Sequence, residues 1–300
     1  MQKTYDTVII GAGIAGMTAA IYLKRSNLDI LLIDKDAPGG QLNKISTIEN
    51  YPGYLQITGP ELSQKLFEQI NNLNIEYHYG NAIEIIDKNE IKIVKTDQEE
   101  IKTKTIILAL GRNPNKLNLK NEEKLLNRGI SYCALCDGPL FKNKEVAVIG
   151  SGNSAVEESI YLSNICKKVT LIIRSNNFKA EETLIKQLKN KKNIEIKYNS
   201  VVNTIIEKNN KLEAIMLTNK EIINIDGLFI YIGSTPNINF LEKLNLETEH
   251  SFIKVDKNMQ TSIEGIYAVG DVIKKDVYQL TTATSDATIA AISIKKKISK

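Results

Sequence analysis

Two glycine-punctuated strand-to-helix turns constrain the fold of this 300-residue chain more than any other feature. The first lies in YDTVIIGAGIAGMTAAIYL (5–23), where the apolar strand Val8–Ile10 runs through Gly11, Gly13 and Gly16 into a helical pattern from Ala15. In such a turn the first glycine permits the tight bend, the second lets backbone approach a pyrophosphate, and the third lets helix pack on strand. Free N–H groups at the helix start then face the phosphates. A second strand, LDILLID, ends in Asp34, 23 residues after Gly11, where a carboxylate can accept from ribose hydroxyls. The pattern recurs in KEVAVIGSGNSAVEESIYL (144–162), with Gly150, Gly152 and Ala155, and KKVTLIIR then ends in Arg174. The copies match again at TIILALGRNPN (105–115) and GLFIYIGSTPN (227–237), apolar strands that each end in Gly-x-x-Pro-Asn. A long-period repeat of this kind is far more specific than one glycine motif.

Copy one finds its ending only at the C-terminus, where TSIEGIYAVGDVIKK (261–275) gives a short strand and Gly270-Asp271, followed by a helical stretch over 281–297. The expected fold is therefore α/β with two Rossmann-like dinucleotide-binding domains, the second inserted into the first. The expected boundaries are 1–113 with 243–300 for the outer domain and 114–242 for the insert, with Pro and Asn breaking regular structure at both joints.

A content of 42% hydrophobic and 25% charged residues is that of a globular protein. A net charge of +4, scattered along the chain, gives no footprint for nucleic acid, and the basic run KKKISK (295–300) reads as a solvated helix end. No apolar stretch reaches the roughly 18 residues of a membrane span, and the first strand begins too early for a signal peptide. Three cysteines do not make an extracellular disulfide framework, so a cytoplasmic setting is expected. Two of them stand in SYCALCDGPLF (131–141). Two residues between Cys133 and Cys136 suit a zinc half-site, a small disulfide or a redox dithiol.

GAGIAG at the start, GGQL and TIENYPG in the long loop of copy one, YCALCDG and GSGNSAVEE in the insert, and IYAVGD near the end carry a likeness over nearly the whole chain. The chain resembles the low-molecular-weight, bacterial-type thioredoxin reductases, which are built as pyridine nucleotide-disulfide oxidoreductases. The resemblance implies FAD in the outer domain, held by Gly11, Gly13, Gly16, Asp34, Gln41, Asn50, Gly111, Gly270, Asp271 and Gln279. It implies a nicotinamide nucleotide, NADPH first, at Gly150, Gly152, Ala155, Arg174, Ser175 and Lys179 of the insert. It further implies a homodimer, a thioredoxin-like partner, and catalytic roles for Cys133, Cys136 and Asp137, the last as the acid that protonates a departing thiolate. Zinc needs about four ligands, and the chain offers beyond the pair only Cys166, His78 and His250, none spaced as a second half-site. No metal is expected. A purely structural disulfide would be reducible in cytosol, so a redox dithiol is the best reading.

The donor site departs from the family pattern. Where NADPH-using members carry His-Arg-Arg and a further Arg, this chain has Ile173, Arg174, Ser175 and then Lys179. Lysine is only a point charge, and serine carries none. The family's Arg-Gln and Gly-Asp-Gly are Tyr278-Gln279 and Ser285-Asp286-Ala287. NADH, or a protein donor such as ferredoxin, are the alternatives. A non-catalytic flavoprotein scaffold or sensor would have no use for Cys-x-x-Cys-Asp.

Overall fold

A computed structural model describes residues 3–45, 48–236 and 238–298; the side chains of Lys44, Leu135 and Cys136 lie outside that description. The chain divides into two compact units, Met1–Asn113 with Thr235–Lys300, and Pro114–Ser234. The second crossing thus falls eight residues before the expected boundary at 242/243. The reason is packing: Leu241, in the short helix Asn239–Leu244, is buried in a core of the first unit with Val8, Ile10 and Ile33.

In the first unit, strands Glu76–Tyr79, Ile30–Asp34, Thr4–Ile10 and Glu100–Leu108 lie side by side in parallel. Ile266–Ala268 extends the row beside the second half of Glu100–Leu108, while an antiparallel hairpin, Ala82–Lys88 and Ile91–Thr96, flanks the first half. Val8 to Ile10, Ile30 to Ile33 and Ile106 to Leu108 are buried on both faces, which is why these stretches read as unbroken apolar runs. Ile9, Leu32, Ile107 and Tyr267 face one core, and Val8, Ile10, Leu31 and Leu108 the other. Helices Ile14–Lys24, Gly59–Asn72 and Leu280–Ile298 cover the first face. Ala15, Ala19 and Ala20 of one helix and Ala283, Ala287 and Ala290 of another are buried there, and such small side chains allow close helix approach.

The second unit repeats the plan. Strands Ile194–Lys197, Lys168–Ile172, Glu145–Ile149, Gly227–Ile230 and Ile130–Ser131 form a parallel sheet in that order. An antiparallel sheet of Val202–Lys208, Lys211–Leu217 and Ile222–Asn224 accompanies it. Ile130–Ser131 therefore lies against Gly227–Ile230 as Ile266–Ala268 lies against Glu100–Leu108. It fills the same slot, although it comes at the start of its unit rather than the end.

Candidate functional site

In the first unit the glycine turn is held in place by contacts that admit no side chain. A Cβ at Gly11 (φ +106°) would stand 2.3 Å from the Ala109 carbonyl oxygen, and one at Gly16 only 1.8 Å from that of Gly11. At Gly13 nothing lies within 4 Å, so the middle of the turn opens outward. The helix that follows starts at Gly13 with no side-chain cap, leaving its first N–H groups for an anion. Asp34 braces this turn: Oδ2 accepts the Ala12 N–H at 2.6 Å and Oδ1 that of Asp36 at 2.9 Å. Burial nevertheless raises its carboxyl above the ordinary range, against the pull of these donors. The open glycine, the uncapped helix and the carboxylate fit the pyrophosphate and ribose of FAD.

The residues expected around the other end of that cofactor also converge. Gln41 Nε2 donates to the Arg112 carbonyl at 3.0 Å, and Asn50 Nδ2 to Gln279 Oε1 at 3.3 Å. Arg112 Nε lies 3.2 Å from Asp271 Oδ2, with its guanidinium 4.4 Å from the centre of the Tyr278 ring. Gly111 and Gly270 have φ of +59° and +77°. Arg112 was missed in the sequence; its only signal was its place next to Gly111. Asp286 was given no role of its own in the sequence reading. It is buried, and its Oδ2 accepts from the Gly270 N–H at 3.2 Å and from Lys275 Nζ at 2.7 Å. It braces the Gly270-Asp271 turn from the last helix.

The glycine turn of the second unit has the same shape. A Cβ at Gly150 (φ +148°) would stand 2.2 Å from the Tyr231 carbonyl oxygen and 2.7 Å from the Ala155 Cβ, while Gly152 faces open space. Helix Asn153–Ser163 again begins without a side-chain cap. The Lys179 N–H donates to the Ser151 carbonyl at 2.8 Å, which brings that residue to the glycine loop. Arg174 and Lys179 are exposed, and the Ser175 hydroxyl donates to the Asn177 carbonyl at 2.9 Å.

Cys133 is in a disulfide, just beyond the end of strand Ile130–Ser131 and before the single helical turn Ala134–Asp137. Cys136 lies on that turn, but its side chain is outside the described residues. Three side chains fix this segment. Ser131 Oγ accepts the Cys133 N–H at 2.9 Å and lies 2.6 Å from Asp137 Oδ2. Tyr231 Oη accepts the Ala134 N–H at 2.6 Å. Tyr132 donates at 2.6 Å to Glu122, a buried carboxylate that also takes the N–H groups of Leu117 and Leu119. Burial, then the Glu158 carboxylate, pushes the Tyr231 phenol up, so it stays protonated at any ordinary pH. Burial pushes Glu158 itself up to about 7, with Glu157 adding to the effect, and its Oε2 is buried with no partner among the described residues. None of Ser131, Tyr231, Glu122 and Glu158 was singled out from sequence, although Ser131, Glu158 and Tyr231 lie inside quoted stretches, because their contacts are set by the fold. Cys166 is a free, buried thiol pushed up to about 11 by burial, which leaves it unreactive.

Known proteins are similar to this chain over its whole length. The pyridine nucleotide-disulphide oxidoreductase family model matches residues 5–287. A thioredoxin reductase of Ureaplasma parvum is 45% identical, with 100% of this chain and 98% of that protein covered. One of Bacillus subtilis is 41% identical over 98% of this chain and 94% of its own length. The solved structure of Lactococcus lactis thioredoxin reductase superposes with a TM-score of 0.87 at 41% identity, covering 98% of this chain and 99% of that one. Among the described residues no helix is long and apolar enough to cross a membrane. The chain belongs to the pyridine nucleotide-disulphide oxidoreductases and, within them, to the bacterial-type low-molecular-weight thioredoxin reductases.

Proposed function

We propose that the protein is a cytoplasmic FAD-dependent thioredoxin-disulfide reductase, working as a homodimer, that carries electrons from NADPH to a thioredoxin-like protein. The observation that carries the reading is the disulfide-bonded Cys133 on a braced turn with Asp137 at its end. Gly11, Gly13, Gly16 and Asp34 would hold the adenosine half of FAD. Gln41, Asn50, Gly111, Gly270, Asp271 and Gln279 would surround the remainder. Bound there, FAD would relay electron pairs from the donor to the disulfide. Cys133 and Cys136 would receive them and pass them to the partner by thiol–disulfide exchange, which needs a thiolate. Asp137 would protonate the sulfur that leaves.

Gly150, Gly152 and Ala155 would seat the donor's pyrophosphate, with Arg174, Ser175 and Lys179 at its 2′-phosphate. Each charge-assisted bond lost with an arginine is worth about 1.5–3 kcal/mol, or roughly ten- to a hundredfold in binding. Preference for NADPH over NADH should therefore be weak. The test is anaerobic mixing of the yellow protein with NADPH, NADH or reduced ferredoxin while flavin absorbance is followed. NADPH should bleach the flavin, with NADH not far behind, and Ser175→Arg with Lys179→Arg should improve NADPH alone. Rapid bleaching at micromolar NADPH with no response to NADH would overturn the account of these substitutions. Bleaching by ferredoxin alone would replace the nucleotide with a protein donor.

A further inference from the structure

Ser131 is almost fully buried, at 3% exposure, at the end of the strand that delivers the cysteine pair. Its hydroxyl has one hydrogen to give. The Cys133 N–H already donates to the Oγ, so the oxygen's own hydrogen is free to choose an acceptor. Two lie in range: the Cys133 carbonyl at 3.2 Å and Asp137 Oδ2 at 2.6 Å. The second is the shorter of the two and the one the hydroxyl takes. Asp137 Oδ2 accepts the Ser131 hydrogen, which leaves Oδ1 to carry the acid's proton. The Asp137 N–H in turn donates to the Cys133 carbonyl at 3.1 Å, closing the turn.

We infer that Ser131 is the positioning residue for Asp137, holding the carboxylate at the Cys133 end of the turn in both oxidation states of the pair. This inference rests on the reading of Asp137 as the acid of the dithiol site. Every bond in the frame runs through backbone, hydroxyl or carboxylate, and the backbone groups of Cys133 serve in place of its sulfur. Opening the disulfide therefore leaves the frame intact. In that step the S–S bond breaks and takes up two electrons and two protons. With FAD bound, the flavin would supply the electron pair and one proton. The other proton comes from the Asp137 carboxyl, which gives it to the sulfur that leaves as thiolate and is reprotonated by water. A carboxylate left to rotate would lose its fixed place on the turn, and misplacement of about 1 Å can cost on the order of a hundredfold.

The experiment compares wild type, Ser131→Ala, Ser131→Thr, Asp137→Asn and the Ser131→Ala/Asp137→Asn pair in the FAD-loaded protein. Two quantities are read: the rate of electron transfer from reduced flavin to the disulfide, and the pH profile of iodoacetamide alkylation of the reduced pair. The second needs neither flavin turnover nor a protein partner. Ser131→Ala should slow electron transfer about tenfold and displace the alkylation profile, whereas Ser131→Thr, which keeps the hydroxyl, should restore both. In the Asp137→Asn background, Ser131→Ala should add no further loss, because residues acting through one group are not additive. Equal losses in both backgrounds would reduce Ser131 to a structural brace and overturn the inference. So would a Ser131→Ala protein with wild-type rate and profile. An Asp137→Asn protein at the wild-type rate would remove the acid role and the inference with it. Failure of wild type to reduce any thioredoxin-like disulfide would defeat the proposed function while leaving the alkylation result standing.

Discussion

The two units are copies of one plan put to different uses, and the place where they differ most is the strand slot beyond the long central strand. In the first unit, Ile266–Ala268 fills that slot and leads to Gly270-Asp271 and then to the 19-residue helix Leu280–Ile298. In the second, Ile130–Ser131 fills it and leads to Cys133 and the four-residue turn Ala134–Asp137. A position that gives one copy a Gly-Asp turn braced by Asp286 gives the other a cysteine-bearing turn braced by Ser131 and Tyr231. The glycine turns, by contrast, stayed nearly identical: both forbid a Cβ at the first glycine and leave the middle one open. What the two copies keep is the shape of the glycine turn, and what differs lies at the end of the added strand.

The glycine turns offer the largest break in this symmetry. Gly11→Ala forces a Cβ to 2.3 Å from a backbone oxygen at a φ of +106°, a strain of about 1–3 kcal/mol before any clash is relieved. That variant should purify colourless, with no FAD released on denaturation. Gly150→Ala meets the same obstacle at 2.2 Å from the Tyr231 carbonyl, yet should purify yellow. Its flavin should be reduced by dithionite and hardly at all by NADPH or NADH. A yellow Gly11→Ala protein, or a Gly150→Ala protein that has lost FAD, would mean the division of labour runs otherwise.

A smaller effect separates the units by pH. Glu158 has no counterpart bracing role, and burial pushes its carboxyl from 4.5 up to about 7. A carboxyl raised in the folded state binds its proton more tightly folded than unfolded. Its contribution is therefore most favourable below pH 4.5 and is lost as pH rises through 7. Glu158→Gln, which stays neutral, should match wild type in thermal stability near pH 4. At pH 8 it should exceed wild type by up to about 3 kcal/mol. Equal melting temperatures at both pH values would show that Glu158 is solvated or paired in solution.

The sequence made the fold legible because its strongest signals are backbone requirements. Gly11, Gly150 and the Gly-x-x-Pro-Asn strand ends mark places where only certain residues fit, and these revealed the repeat and the insertion. The second crossing was misplaced because Leu241 looks like any surface-helix leucine until the core that buries it is known. Cys133, Cys136 and Asp137 stood out as a contiguous motif. Their supports come from residues up to 97 positions away, as in the Tyr231 to Ala134 bond, and share no local pattern. The stretch Ser285-Asp286-Ala287 was read as departing from Gly-Asp-Gly, and the brace Asp286 supplies escaped that reading because its burial and its bond to Lys275 are tertiary facts.

The central claim is that one chain holds two separate electron acceptors, a flavin in the first unit and a disulfide in the second. An anaerobic dithionite titration of the purified protein, followed by flavin absorbance and thiol content, tests it most directly. Wild type should take up two electron pairs per chain, one bleaching the flavin and one appearing as two new thiols. The Cys133→Ser/Cys136→Ser protein should remain yellow, take up a single pair and reduce no thioredoxin-like disulfide. A wild-type protein that accepts only one pair, or a double variant that still accepts two, would contradict the account.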